Sequence, residues 1–336
     1  MKNLLYIGNM LSQTGKTVTT IETLSVALLA EGFQVTSVSR QSNKVLRLLE
    51  MLFAILKATG KTDYVLIDTY STQNFYYAYL CSQLCRFLNL KYIPILHGGN
   101  LPNRLKNNPK LSTAIFKNAH INIAPSNYTK SHFEAFGFHN IKIIPNAITI
   151  DTYAFEERQF EKVKLLWVRS FSKIYHPQLA VDVLYGLRKK GVNATLCMVG
   201  PDNDGSLEKT KHYAFSLGVD VTFTGKLSKI EWITLAKNYT YFINTTNFDN
   251  MPVSVIEAMA LGLPVISTQV GGLPYLIDDR KTGILVEPNN ATAFIEAIME
   301  LKNNPKETNK LVINAKREVQ RFDWNSVKTL WISVLK

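Results

Sequence analysis

A chain of 336 residues with 46% hydrophobic content is long enough for two domains of ordinary size, each with a full core, and excludes a disordered or fibrous chain. Three cysteines (Cys81, Cys85, Cys197) are too few for a disulfide frame, and no uninterrupted apolar stretch is long enough to cross a bilayer. The net charge of +12 sits unevenly: residues 1–155 carry 15 Lys and Arg against 7 Asp and Glu, an excess of +8, with no basic-aromatic stripe of the kind that binds nucleic acid.

Short apolar strands alternating with amphipathic helices predict an α/β chain built on parallel sheets. In the first half, strands are expected at Asn3 to Ile7, Gln34 to Val38, Tyr64 to Thr69, Tyr92 to Leu96, Ile121 to Ala124 and Lys142 to Ile144, with no signal peptide before the first. Gly8 to Thr17 ends like a phosphate-binding loop but has Met10 where that motif needs glycine, so Gly15 to Thr17 reads as flexible backbone leading into a helix. Asn43 to Lys61 is a strongly apolar helix tipped by Lys44, Arg47, Lys57 and Lys61. It is either core with basic ends or a surface presented to anionic headgroups. Arg104, Lys106 and Lys110 add a basic loop. Cys81 and Cys85 share a helix face, which predicts packing, and no metal site is expected. His97 ends a buried strand ahead of Gly98 and Gly99, and Ser126 and Asn127 are expected to cap a helix from Tyr128 to Phe136. The polar stretch Thr149 to Glu161 reads as a linker.

In the second half, Lys164 to Val168 is a strand, Arg169 leaves its end, Lys173 follows four residues later and Pro177 opens a helix through Arg188. Ala194 to Val199 runs into a Gly-Pro turn where Asp202-Asn203-Asp204 reads as turn chemistry rather than metal binding. Asn244 closes a strand, Thr245 to Met251 form a polar loop, and Pro252 suits the first turn of a helix carrying Glu257. The open N–H groups near Val253 and Ser254 make that turn an anion site. Pro264 to Ile266 is the next buried strand, and Trp324 to Leu335 is amphipathic.

Asp249 to Ile266 resembles the donor-binding motif of the family-four retaining glycosyltransferases (GT-B fold, glycosyl transferases group 1), in which Glu, seven residues and a second Glu precede Ala-Met-Ala and Gly-x-Pro-Val-Ile. Glu257 matches the second Glu, Asp249 stands in place of the first, and Val168 replaces the glycine that usually precedes the Arg. The resemblance covers most of residues 163–324. It is thinner before them, at Leu96 to Gly99, Ala124 to Ser126 and Ile143 to Ala147. It implies two doubly wound Rossmann-like domains facing a central cleft: residues 1–150 on the acceptor side, a linker at 151–162, a nucleotide-sugar domain at 163–322, and a segment 323–336 crossing back to the first domain. The implied enzyme is a hexosyltransferase that moves a sugar, with retention, from a nucleotide diphosphate sugar (UDP-sugar favoured) to a glycan or lipid-linked acceptor. It would need no cofactor and would work in the cytoplasm or on the inner face of the cell membrane. Arg169 and Lys173 would neutralise the diphosphate, Glu257 would hold the ribose, and Asp249 and His97 would serve the sugar. Met251, Pro252, Val253, Ser254 and Gly15 would line the donor. A sugar-nucleotide epimerase of the same fold and a non-catalytic sugar-nucleotide or glycan-binding subunit are the alternatives.

Overall fold

The computed structural model describes residues 1–12 and 18–336, so Gly15, expected at the donor site, lies outside the described residues. The chain forms two compact units, residues 1–147 with 324–336, and residues 148–323.

The first unit runs β1 (Asn3–Ile7), α1 (Thr20–Ala30), β2 (Gln34–Val38), α2 (Lys44–Ala58), β3 (Tyr64–Thr69), α3 (Asn74–Phe87), β4 (Tyr92–Leu96), α4 (Leu101–Asn107), α5 (Pro109–Phe116), β5 (Asn122–Ala124), α6 (Asn127–Ala135) and β6 (Ile141–Ile143). The second runs β7 (Val163–Val168), α7 (Pro177–Lys189), β8 (Ala194–Val199), α8 (Ser206–Ser216), β9 (Thr222–Gly225), α9 (Lys229–Ala236), β10 (Tyr241–Asn244), α10 (Val253–Ala260), β11 (Val265–Thr268), β12 (Ile284–Val286), α11 (Ala291–Asn303) and α12 (Pro305–Glu318). Helix α13 (Trp324–Leu335) returns to the first unit. The strand orders are β2-β1-β3-β4-β5-β6 and β12-β11-β10-β7-β8-β9, six strands each and parallel throughout. This is the expected α/β GT-B class of two doubly wound Rossmann-like domains.

Parallel strands covered by helices on both faces must be apolar on both, which is why β3 and β4 are buried along their whole length. Among the described residues three apolar clusters result in the first unit, one of them around Phe116 and Phe133. Met51 of α2 and Cys81 and Cys85 of α3 pack on Leu5 and Ile7 on one face, while Val327, Trp331 and Leu335 of α13 join Leu4 and Tyr6 on the other. Burial pushes the Cys85 thiol up to about 12, so both cysteines act as packing groups. Helix α2 uses only one side this way, and its outer face stays uncovered.

Some local expectations shift by a residue. Ser126 caps α6, its Oγ accepting the Thr129 N–H at 3.2 Å, whereas Asn127 is the first helical residue and not a second cap. Strand β5 begins one residue late, at Asn122, whose buried side chain donates to the Phe116 carbonyl at 2.9 Å, and β6 begins one residue early, at Ile141.

Candidate donor-binding site

In the second unit β7 lies between β10 and β8, so the loops leaving β7 and β10 diverge at their carboxyl ends. A crevice at such a switch point is where open α/β sheets bind ligands. Arg169 leaves β7 there, and Asp249 sits in the loop after β10.

Arg169 is fixed from both ends. Its N–H donates to the Val199 carbonyl at 3.0 Å, and its own carbonyl abuts Gly200, where any Cβ would collide with it. Its guanidinium pairs with the Asp249 carboxylate and stacks 4.1 Å from the Tyr175 ring centroid. Both side chains of the pair are 15% exposed. The Arg169 charge, against the opposing effect of burial, holds the Tyr175 phenol below its ordinary value. Arg169 Nε is buried without a hydrogen-bond partner among the described residues.

The Asp249 loop is pinned along its length. Trp167 Nε1 donates to Thr245 Oγ1 at 3.0 Å, Thr245 Oγ1 donates to the Tyr175 carbonyl at 2.9 Å, and Thr268 Oγ1 donates to the Thr246 carbonyl at 2.6 Å. The Gly272 N–H donates to the Asp249 carbonyl at 2.9 Å, and a Cβ on Gly271 would strike that same oxygen. Only glycines allow so close an approach.

Pro252 precedes α10, whose first N–H groups have no acceptor within the helix. Ser254, in its first turn, has a buried hydroxyl without a partner among the described residues. Met251 and Pro252 are buried, Met251 in the core cluster around Phe242 and Val255. Glu257 is 3% exposed, and its Oε1 accepts the Tyr153 hydroxyl at 2.7 Å and pairs with Lys229 at the start of α9. Burial first, then the Glu257 charge, raise the Tyr153 phenol above its ordinary range. Lys173 opens a short turn, exposed, its backbone N–H donating to Asp204 at 3.0 Å. Burial alone would raise Asp204, but hydrogen bonds from Ser206, the Lys173 N–H and Ser172 hold its carboxyl at about 2. Asp202 accepts the Gly205 N–H at 3.0 Å, so the Asp-Asn-Asp stretch is turn chemistry that also anchors the Lys173 turn.

In the first unit His97 follows β4, and its Nε2 lies 2.9 Å from Asp68 Oδ1 on neighbouring β3. Asp68 is 0% exposed and also accepts the Tyr6 hydroxyl at 2.9 Å. Burial first, then this carboxylate's charge, raise Tyr6, Tyr70 and Tyr77 well above their ordinary values. The His97 ring also stands 5.6 Å from that of Tyr70.

Sequence reasoning missed Asp68, Tyr153, Tyr175 and Lys229. Asp68 carried a signal, being the one acid in the apolar run Tyr64 to Thr69. Tyr175 lies two residues after Lys173 in the stretch already singled out, while Tyr153 and Lys229 lie on segments with no motif of their own.

The profile of the glycosyl transferases group 1 family matches residues 151–318. An uncharacterized glycosyltransferase of Methanocaldococcus jannaschii is 28% identical over 156 residues, 46% of this chain and 43% of that protein. The sulfoquinovosyl transferase of Arabidopsis thaliana is 26% identical over 154 residues, 45% of this chain and 29% of that protein. The chain thus matches less than half the length of these curated relatives. Among solved structures, Anabaena HepE in complex with UDP-glucose is similar in fold, with a TM-score of 0.82 at 17% identity over 100% of this chain and 99% of that one.

Proposed function

The chain belongs to the glycosyl transferases group 1 family, and on that premise we propose that it is a family-four retaining hexosyltransferase, moving a sugar from a nucleotide diphosphate sugar, UDP-sugar favoured, to a hydroxyl of a glycan or lipid-linked saccharide. The observation that carries this reading is Arg169: a nearly buried guanidinium at the switch point, with Nε unpartnered among the described residues, paired with Asp249 four residues before the open N-terminus of α10. A cation and helix N–H groups in such a place match a diphosphate leaving group, whose negative charge grows as the sugar departs. Lys173 adds a second, exposed charge on the Asp204-anchored turn. Glu257, held by Tyr153 and Lys229, is assigned the ribose hydroxyls. Asp249 orients the donor sugar or steadies positive charge at its anomeric carbon, and His97, oriented by Asp68, hydrogen-bonds a sugar hydroxyl. The M. jannaschii and A. thaliana relatives named as transferases, and the UDP-glucose bound by the HepE structure, support the donor class. The reading places the enzyme in the cytoplasm, at the inner face of the cell membrane where a lipid-linked acceptor resides.

A thermal-shift panel of uridine, guanosine, adenosine and cytidine diphosphates tests it, since a ligand of the folded state alone raises Tm. The uridine compound is expected to stabilise the wild type and to lose its effect in Glu257→Ala. No shift with any nucleotide overturns the transferase reading. Retention is read from the anomeric proton coupling of the product.

A further inference from the structure

Helix α2 is apolar on two opposite sides. Met51 and Ile55 face the core, with Arg47 donating to the Gln41 carbonyl at 3.0 Å on the same side. On the other side Val45, Leu46, Leu49, Phe53 and Leu56 are each between 51% and 67% exposed. Their spacing of three, four and seven residues puts them in one stripe along the helix. A helix that is apolar all round is normally covered on all sides, and a contiguous exposed apolar stripe marks a surface that meets something. Helix α3, packed beside α2, adds exposed Tyr76, Leu80 and Phe87.

Charge says what that something is. Arg40 and Lys44 lie exposed at one end of the stripe, Lys57 and Lys61 at the other, with the Lys57 ammonium 5.6 Å over the Phe53 ring. The one acid in the helix, Glu50, is bound to the Ser39 hydroxyl. We propose that the outer face of α2 docks on an anionic phospholipid bilayer, lying in the plane of the interface with its apolar stripe among the acyl chains and its terminal lysines at the phosphates. Among the described residues no helix is long and apolar enough to span a membrane, so contact is by lying on it. A second copy of the chain fits the same face poorly, because a two-fold pairing of the stripes brings lysine-bearing ends together. This deepens the proposed function, resting on its lipid-linked acceptor, by naming the surface that brings the enzyme to it.

The test is co-sedimentation of the full chain with phosphatidylcholine vesicles, with and without phosphatidylglycerol, at low and high salt. The wild type is expected to bind the anionic vesicles and to release as salt rises. Leu49→Glu/Phe53→Glu and Lys57→Glu/Lys61→Glu are each expected to weaken binding about tenfold or more. These positions are exposed, so an unchanged Tm confirms that the variants fold. Equal binding to neutral vesicles, undiminished binding by either variant, or a dimer that Phe53→Glu dissociates would each overturn the proposal. The uridine diphosphate thermal shift is read on the same variants, and its persistence separates failure of docking from failure of the transferase reading.

Discussion

Arg169 already pairs with Asp249; on the proposed reading a nucleotide diphosphate competes for the same guanidinium, so Asp249→Asn is expected to tighten uridine diphosphate while slowing sugar transfer. A charge-assisted hydrogen bond contributes about 1.5–3 kcal/mol net. The pair is 15% exposed on each side, which leaves partial screening and points to the lower bound. At 1.4 kcal/mol per factor of ten, release of Arg169 strengthens binding about tenfold. Loss of a carboxylate beside an anionic ligand acts in the same direction. Arg169 keeps its place without Asp249, because its backbone is held by Val199 and Gly200 and its guanidinium by the Tyr175 ring. Calorimetric titration of uridine diphosphate into wild type and Asp249→Asn measures the affinity, and single-turnover transfer measures the rate. Weaker or unchanged binding in Asp249→Asn would refute the reasoning and make Asp249 an organiser of the site rather than a competitor.

Gly271→Ala combines a φ of +55 with a collision against the Asp249 carbonyl, costing about 2–5 kcal/mol, and calorimetry is expected to show a Tm lower by at least about 4 °C. The Asp204 carboxyl sits at about 2, below its unfolded value, so its contribution is full above the ordinary carboxylate range and is lost as pH falls toward about 2. The stability gap between wild type and Asp204→Ala in denaturant melts is therefore expected to close on acidification, and a gap independent of pH contradicts the assignment. Asp68→Asn weakens two charge-assisted hydrogen bonds but no longer buries a charge, so Tm is expected to move by less than about 4 °C while transfer falls about 10- to 100-fold through misplacement of His97. A large loss of Tm with an unchanged rate per folded molecule would make Asp68 a structural buttress.

The inner strands β3, β4, β10 and β11 were legible because they are buried along their whole length and read as largely apolar runs, whereas the edge strands β2, β6 and β9 are only partly buried. Arg169, Asp249 and Glu257 were singled out because the segments that carry them resemble the family's motif, each just beyond a strand end. Their partners were not, because contact is made at a distance along the chain: Tyr153 reaches Glu257 across 104 positions and Asp68 meets His97 across 29. Nothing local to Tyr153 or Lys229 marks either as belonging to a carboxylate. Helix α2 failed differently. Its leucines spread over one half of the helix, Leu48 and Leu52 partly packed and Leu46, Leu49 and Leu56 exposed, while Arg47, Glu50 and Lys57 lie on the other, so periodicity did not single out Met51 and Ile55 as the inner face; their packing on the sheet decided it.

Aspartate in place of the motif's first glutamate changes what that position does. Its carboxylate already meets two groups: one oxygen accepts the Asn250 N–H at 2.8 Å and the other pairs with Arg169. The backbone has no freedom to carry it further, since Gly271 and Gly272 press on Asp249 and Asn250. On the proposed reading, a side chain one methylene shorter than glutamate, anchored at both oxygens on a fixed loop, serves the donor through its charge, which steadies positive character at the anomeric carbon, rather than through contact with a sugar hydroxyl. Asp249→Glu keeps that charge and its reach to the guanidinium while giving up the short turn to Asn250, so turnover is expected to stay near wild type and that of Asp249→Asn to fall. A large rise in turnover with Asp249→Glu would instead assign the position to contact with the sugar, limited in this chain by the missing methylene.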